Sequence, residues 1–225
     1  MKIDGHEIKM VIFDMDGLIF DTERLAARTW KEAGKKFSYD IDYDVFKKTI
    51  GLNMLESGRV YRKYYGKEFP YEEIRNEKTK LAEGHMLSKG IPLKDSVHEL
   101  LGYLKSKGLK IALATLTRRS RTEMLLGLSG TKKYFDLITC GDEIKYGKPD
   151  PEIFLSSAVR MNLKPDNCMV LEDSEYGIIA ASKAGMLPVM IPDLVKPGKE
   201  VNAMIFKKFN SLKEVKSYLE LNFNR

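Results

Sequence analysis

Five short, nearly continuous apolar runs constrain the fold of this chain more than any other feature of its sequence. Runs of this length are typical of strands that are buried on both faces of a parallel sheet. Between them, apolar residues recur at helical spacing, as in residues 97–104 and 154–159. Strands that alternate with helices favour a doubly wound α/β fold. The five runs are Ile8–Phe13, Leu109–Ala114, Asp136–Cys140, Cys168–Leu171 and Leu187–Ile191.

The segment from Thr22 to Lys89 breaks this alternation. It shows helical periodicity and no convincing buried strand, and its roughly 65 to 70 residues are far more than a single crossover needs. We therefore predict an all-helical domain over residues 21–90, inserted into an α/β core formed by residues 1–20 and 91–225. An amphipathic pattern over residues 211–221 predicts a closing helix.

Charge and hydropathy argue against two classes of partner. The net charge is +6, but the basic residues are scattered beside acidic ones, a pattern that is usual for solvated helix faces. We therefore expect no nucleic-acid partner. No apolar run approaches the roughly 18 residues of a membrane helix, and no apolar segment follows a basic start as in a secretory signal. We expect no membrane association.

The two cysteines, Cys140 and Cys168, are too few for a disulfide framework. Both stand beside apolar residues, which favours buried free thiols. Free thiols persist in a reducing compartment, so we expect a cytoplasmic protein.

Polar side chains suited to chemistry follow four of the five predicted strands. Because ligands bind beyond the carboxyl ends of the strands in an open parallel sheet, we expect these side chains to meet at one edge. They are Asp14 and Asp16 after the first strand, Thr115 and Thr117 after the second, Lys148 after the third, and Glu172 and Asp173 after the fourth.

This set of residue types suits phosphoryl transfer. A phosphate dianion repels a carboxylate nucleophile, and a divalent cation together with a lysine such as Lys148 can cancel that repulsion. Mg²⁺ prefers hard oxygen ligands, which Asp14, Asp173 and a backbone carbonyl near Asp16 could supply. The Thr115 hydroxyl can donate a hydrogen bond to a phosphate oxygen.

The spacing of Asp14 and Asp16 fits a division of labour between two carboxyl groups. A carboxylate nucleophile forms an acyl-phosphate and so divides one difficult hydrolysis into two easier steps. A second carboxyl group protonates the leaving oxygen and later activates water. Because the two groups are chemically identical, their environments would have to keep Asp14 ionised while Asp16 is protonated in the first step.

Taken together and in order, four segments resemble the haloacid dehalogenase (HAD) superfamily of phosphohydrolases. They read FDMDGLIFDTE, ALATLTRRS, GKPDPEIF and LEDSEYGIIAASKAGM. The similarity is greatest to the β-phosphoglucomutase-like and phosphatase branch, which inserts a helical cap after the first strand. The resemblance covers about the whole chain and implies a doubly wound, Rossmann-like core with an all-helical cap.

The resemblance also implies roles for single residues. Asp14 would be the nucleophile and Asp16 the general acid/base, while Thr22 would occupy a cap-hinge position that helps to place Asp16. The phosphate-binding candidates are Thr115, Leu116 and Lys148. Apart from the resemblance, Thr117, Arg118 and Arg119 follow the second strand and are candidates for substrate contact, with solvated side chains as the alternative. The Mg²⁺ ligands would be Asp14, the Asp16 carbonyl and Asp173, with Glu172 as either a ligand or a partner of the ligands.

One departure from the family pattern bears on the reaction. Sugar-phosphate mutases of this branch carry an arginine for the second phosphate at the position that aligns with Met54. We therefore predict a Mg²⁺-dependent phosphatase for a small phosphorylated metabolite, such as a sugar or nucleoside phosphate, and a monomer or weak dimer. A phosphomutase and, more remotely, a non-catalytic ligand-binding module remain open alternatives.

Overall fold

The computed structural model describes residues 2–50, 52, 54–194 and 197–222. The chain forms two compact units. One consists of Met1–Phe20 and Leu93–Arg225, and the other, hereafter the helical unit, of Asp21–Pro92.

The first unit is built on a parallel sheet of six strands in the order β5-β4-β3-β6-β7-β8. A short antiparallel hairpin precedes this sheet in the sequence, and its two strands are β1 (Lys2–Ile3) and β2 (His6–Glu7). This sheet confirms the predicted doubly wound fold, and its five longer strands correspond to the five apolar runs. The strands of the sheet are β3 (Met10–Phe13), β4 (Lys110–Thr115), β5 (Leu137–Cys140), β6 (Cys168–Glu172), β7 (Leu187–Met190) and β8 (Lys207–Lys208).

Among its described residues, the helical unit contains four α-helices and no strand. Its core is aromatic, with the Trp30 ring stacked on Tyr61 at a centroid distance of 4.6 Å and on Tyr71 at 5.6 Å. Such pairs add roughly 0.5–1.5 kcal/mol to the gain from burial alone. The helices are α1 (Thr22–Lys36), α2 (Tyr43–Lys47), α3 (Met54–Tyr65) and α4 (Tyr71–Lys89).

The remaining helices belong to the first unit, where small and apolar side chains pack against the sheet. Ala180 and Ala181 of one helix and Phe154 of another are buried with Ile12 and Val170 of the central strands. These helices are α5 (Val97–Ser106), α6 (Arg119–Leu128), α7 (Glu152–Arg160), α8 (Glu175–Lys183), α9 (Lys199–Asn202) and α10 (Leu212–Asn222).

Two further sequence expectations can be compared with the structure. Cys140 and Cys168 are buried free thiols, as predicted. Among the described residues, no helix is both long enough and apolar enough to cross a membrane.

Candidate active site

The carboxyl ends of the central strands bring together most of the residues that the sequence singles out. Asp14 directly follows β3, and its backbone N–H donates to the Leu171 carbonyl of β6 at 3.0 Å. Glu172 is the last residue of β6, and Asp173 follows it. Lys148 comes from the loop between β5 and α7. The register of the parallel strands therefore sets these charged groups side by side.

The Lys148 ammonium lies at the centre of this cluster, with its side chain only 5% exposed. Its Nζ donates to Asp14 Oδ1 at 2.5 Å, to Glu172 Oε1 at 2.6 Å and to the Ala114 carbonyl at 3.2 Å. Burial disfavours the charged ammonium, but the Asp14 and Glu172 carboxylates outweigh that effect and raise the pKa of Lys148 above its usual value. Lys148 is therefore a fixed cation beside the candidate nucleophile.

Glu172 is fully buried, and its hydrogen bonds account for both of its carboxylate oxygens. While Oε1 accepts from Lys148, Oε2 accepts from the backbone N–H groups of Asp173 and Ser174 and from the Ser174 hydroxyl. A Cβ at position 177 would lie 1.9 Å from this carboxylate, so Gly177 is required for its placement. These bonds favour Glu172 as the residue that holds Lys148 rather than as a direct metal ligand.

Three carboxylates, those of Asp14, Glu172 and Asp173, each offer an oxygen within 4.8 Å of the others. Burial raises the pKa of Asp14 to about 7, with Lys148 opposing the rise and Glu172 adding to it. Burial and the charges of Glu172 and Asp14 also raise the pKa of Asp173. A cluster of this kind holds excess negative charge in a site with little solvent.

The Asp14 and Asp173 carboxylates of this cluster fit a divalent cation such as Mg²⁺, which prefers hard oxygen ligands and would relieve the repulsion among the three carboxylates. Gly17, like Gly177, leaves room for a carboxylate of the cluster. Gly17 has φ +82°, and a Cβ there would lie 2.1 Å from Asp173 Oδ2. The site therefore selects glycine at position 17 for two reasons, its conformation and the approach of Asp173.

Asp16 is half-buried, and its Oδ2 accepts a hydrogen bond of 2.8 Å from the Thr117 hydroxyl. Thr115, buried at the end of β4, accepts from the Thr117 backbone N–H at 3.1 Å. The loops after β3 and β4 are thus joined through the side chain of the candidate acid/base, Asp16. Thr117 lies beside that carboxylate.

The other predicted site residues have different surroundings. Leu116 and Arg118 are exposed, and Thr22 is the first residue of α1 in the helical unit. Arg119 donates to the Glu143 carboxylate, to Glu123 at 3.2 Å and to the Ile138 carbonyl at 2.7 Å. These contacts tie α6 to β5, so the Arg119 guanidinium is engaged in structural contacts.

Sequence reasoning missed a second buried ion pair near the cluster. Lys94 Nζ lies 2.5 Å from Asp193 Oδ1, and the Asp193 side chain is only 3% exposed. The negative charge of Asp193 contributes to the raised pKa of Asp173. Asp193 lies three residues after the end of β7, so extending the strand-end rule to the loop after the fifth strand could have found it.

The sequence of this chain matches a known protein family. The model of the haloacid dehalogenase-like hydrolase family matches residues 11–191, which include every strand-end residue described above except Asp193. The chain belongs to this family. The match confirms the resemblance inferred from the four sequence segments.

Several HAD relatives resemble the chain over most of its length. It is 34% identical over 182 residues to a phosphorylated carbohydrates phosphatase of Thermotoga maritima, covering 80% of this chain and 82% of that protein. It is 33% identical over 181 residues to the fructose-1-phosphate phosphatase YqaB of Escherichia coli, covering 78% and 92%. A solved structure from Thermotoga maritima, provisionally assigned as a beta-phosphoglucomutase, has a TM-score of 0.81 at 28% identity and covers 95% of this chain and 99% of that one.

Proposed function

We propose that this HAD protein is a Mg²⁺-dependent phosphatase that hydrolyses a small phosphomonoester through an aspartyl-phosphate on Asp14. Asp16 acts as the general acid and then as the general base. Thr115, the backbone at Leu116 and Lys148 bind the transferring phosphate. The substrate is a sugar or nucleoside phosphate.

The class of reaction is that of a phosphoric monoester hydrolase, as predicted from the sequence. Family membership and the two phosphatases described above support this class. The mechanism rests instead on this chain's own residues. The observation that carries it is the contact of Lys148 with both Asp14 and Glu172 in a buried site.

The first chemical step uses the geometry around Asp14. A carboxylate oxygen of Asp14 attacks the phosphorus atom, and the bond from phosphorus to the ester oxygen breaks. Lys148, whose ammonium is held by Glu172, offsets the repulsion between the Asp14 carboxylate and the phosphate oxygens. Asp16 donates its proton to the departing alcohol oxygen. The products are the alcohol and a phosphoryl group on Asp14.

The second step returns the enzyme to its starting state. The ionised Asp16 accepts a proton from a water molecule, whose oxygen attacks the phosphorus of the aspartyl-phosphate. The bond between phosphorus and Asp14 breaks, which releases inorganic phosphate and a free Asp14 carboxylate. Asp16 is protonated again for the next turnover.

The metal would be held by Asp14, Asp173 and the backbone carbonyl of Asp16. When bound, Mg²⁺ supplies positive charge that stabilises phosphate oxygens and favours ionised carboxylates. In this proposal Glu172 is not a direct ligand but accepts hydrogen bonds from Lys148 and from the backbone N–H groups of Asp173 and Ser174, which supports a role in positioning them.

We further propose that the first unit is the catalytic core and the helical unit the cap. Met54 supports hydrolysis over mutase chemistry, because a mutase has to hold a bisphosphate at both ends and a thioether has no charge for the second phosphate. Met54 is exposed at the start of α3.

A panel of phosphorylated metabolites tests this function directly. With Mg²⁺ present, we expect steady release of inorganic phosphate from several sugar or nucleoside monophosphates and none from the Asp14→Asn variant. The absence of hydrolysis throughout the panel would contradict the proposal.

The phosphomutase alternative has its own assay. Formation of glucose 6-phosphate from β-glucose 1-phosphate, with activation by a bisphosphate and slow release of inorganic phosphate, would favour it. This alternative is supported by the similarity of the chain to the Thermotoga maritima structure that is provisionally assigned as a beta-phosphoglucomutase.

A further inference from the structure

The helical unit contains a cavity of about 330 Å³ that the proposed chemistry does not use. Its lining residues come from the beginning and the end of this unit's sequence. They are Asp21 with residues of α1, and residues from the last turns of α4 to Pro92. Leu25, Ile91 and Pro92 contribute apolar surface. A volume of this size lies at the lower end of the range for small-molecule sites.

Four basic side chains line this cavity, two from each of two helices that pack against each other. Arg24 and Arg28 are four residues apart on α1, and His85 and Lys89 are four residues apart on α4. Residues at this spacing share one face of a helix. The cavity is therefore bordered by two short rows of basic groups.

Acidic groups balance this charge only in part. Arg24 lies 2.7 Å from Asp21, while Glu32 is shared between Arg28 at 3.6 Å and His85 at 3.0 Å. Lys89 forms no ion pair with any residue in the described part of the chain. Among the described residues that line the cavity, Asp21 is the one carboxylate beside three permanent cations and an imidazole, so the lining carries a net positive charge.

We infer that this cavity binds a small organic phosphate through side chains other than those of the carboxylate cluster. Arginine guanidinium groups present several N–H donors in a plane that matches phosphate oxygens, and lysine adds a mobile point charge. The apolar side chains would contact the carbon part of the ligand. None of the lining residues belongs to the carboxylate cluster, so the inference does not depend on the proposed hydrolysis.

His85 offers a site-specific readout, because the chain has only three histidines. We would titrate inorganic phosphate into the whole protein and follow the three imidazole signals by NMR, with His85→Gln to assign the signal. The comparison is chloride at matched pH and ionic strength. We expect a saturable shift of the His85 signal with phosphate and only small changes at His6 and His98.

Two double variants then test whether phosphate binds at this cavity or elsewhere on the protein. Arg28→Gln combined with Lys89→Gln removes two exposed cations and should raise the phosphate Kd at least about tenfold, the effect expected on losing charge-assisted hydrogen bonds. The control combines Arg59→Gln with Lys67→Gln, which removes the same charge from exposed positions of the same unit. The control variant should bind phosphate with the same Kd as the parent protein.

Two outcomes would overturn the inference. One is the absence of a saturable His85 shift in the parent, and the other is an equal shift in both paired variants, which would indicate binding elsewhere or a general effect of charge. Failure of the phosphatase proposal would show instead in the turnover assay. The His85 titration does not require turnover, so the two failures are distinguishable.

Discussion

The hydroxyl of Thr117 donates a hydrogen bond of 2.8 Å to Oδ2 of Asp16, a residue 101 positions away in the chain. The bond links the loop after β3 to the loop after β4. Since Asp16 is proposed to move a proton in both steps, its orientation should affect the rate. Thr117 is then a positioning residue for the acid/base.

Replacing Thr117 with valine removes this donor and keeps the side-chain shape. We expect kcat/KM for a sugar phosphate to fall about tenfold, which corresponds to roughly 1.4 kcal/mol, in the range of one hydrogen bond. The loss should be smaller with p-nitrophenyl phosphate, because its leaving group needs little protonation.

The matched control is Thr117→Ser, which restores the hydroxyl and should recover most of the activity. An equal loss with both substrates would contradict the positioning role, as would a serine variant no better than the valine one.

The approach of Gly177 to Glu172 predicts a large effect from a single methyl group. A Cβ at position 177 would meet the Glu172 carboxylate at 1.9 Å, so Gly177→Ala should displace Glu172 and with it Lys148. We expect loss of phosphatase activity and a decrease of about 1–3 kcal/mol in the free energy of unfolding, measured by urea denaturation.

Gly102 provides the comparison within a helix of the same unit. A Cβ there has no neighbour within 4 Å, and alanine is favoured over glycine in a helix by roughly 0.5–1 kcal/mol. Gly102→Ala should therefore retain activity and match or exceed the parent's stability. Equal behaviour of the two alanine variants would refute the steric argument.

Asp136 predicts a pH-dependent contribution to stability. Burial alone would raise the pKa of its carboxyl, but Lys105 at 2.8 Å and the Ile111 backbone N–H at 2.8 Å lower it below the usual value. A carboxyl with a lowered native pKa contributes stability above its unfolded pKa of about 3.9 and loses it as the pH falls through the native pKa.

We therefore expect Asp136→Asn to lower the free energy of unfolding by about 1–3 kcal/mol at neutral pH. The difference from the parent should narrow as the pH falls below about 4. Urea denaturation at several pH values measures it, with the exposed Asp166→Asn as control. A difference that does not change with pH would contradict this account of Asp136.

The crowding of carboxylates around Asp14 predicts stabilisation by Mg²⁺. Binding to the native state at ten times the Kd adds about 1.4 kcal/mol, or roughly 3–5 °C in Tm for a chain of this size. Asp173→Asn should lose this shift and Asp166→Asn should keep it. A Tm unmoved by millimolar Mg²⁺, or one that rises equally in the Asp173 variant, would count against the metal site.

Some features of the fold could be predicted from the sequence because burial leaves a continuous apolar pattern. The five central strands are of this kind. Strand β8 (Lys207–Lys208) has no such pattern, since it is two polar residues at the edge of the sheet. The β1–β2 hairpin did have a local signal in Asp4-Gly5, whose φ values of 46° and 86° suit a tight turn.

The candidate site also has one part that could be predicted from the sequence and one part that could not. The rule for strand ends in parallel sheets located Asp14, Lys148 and Asp173 without any knowledge of contacts. The bonds that orient them, such as Thr117 to Asp16, join residues far apart in the chain and depend on side-chain conformations. A sequence does not encode such conformations in a pattern that can be read locally.

Trapping the phosphoryl group on Asp14 is the most direct test of the proposed intermediate. Asp16→Asn should still accept the phosphoryl group from p-nitrophenyl phosphate, whose leaving group departs without an acid, but should be slow to hydrolyse it. Acid quenching followed by mass spectrometry would then show one added phosphoryl group on the peptide that contains Asp14, and none in Asp14→Asn combined with Asp16→Asn. Turnover by the parent with no phosphorylated peptide in the Asp16 variant, or a phosphoryl group on another residue, would contradict the account.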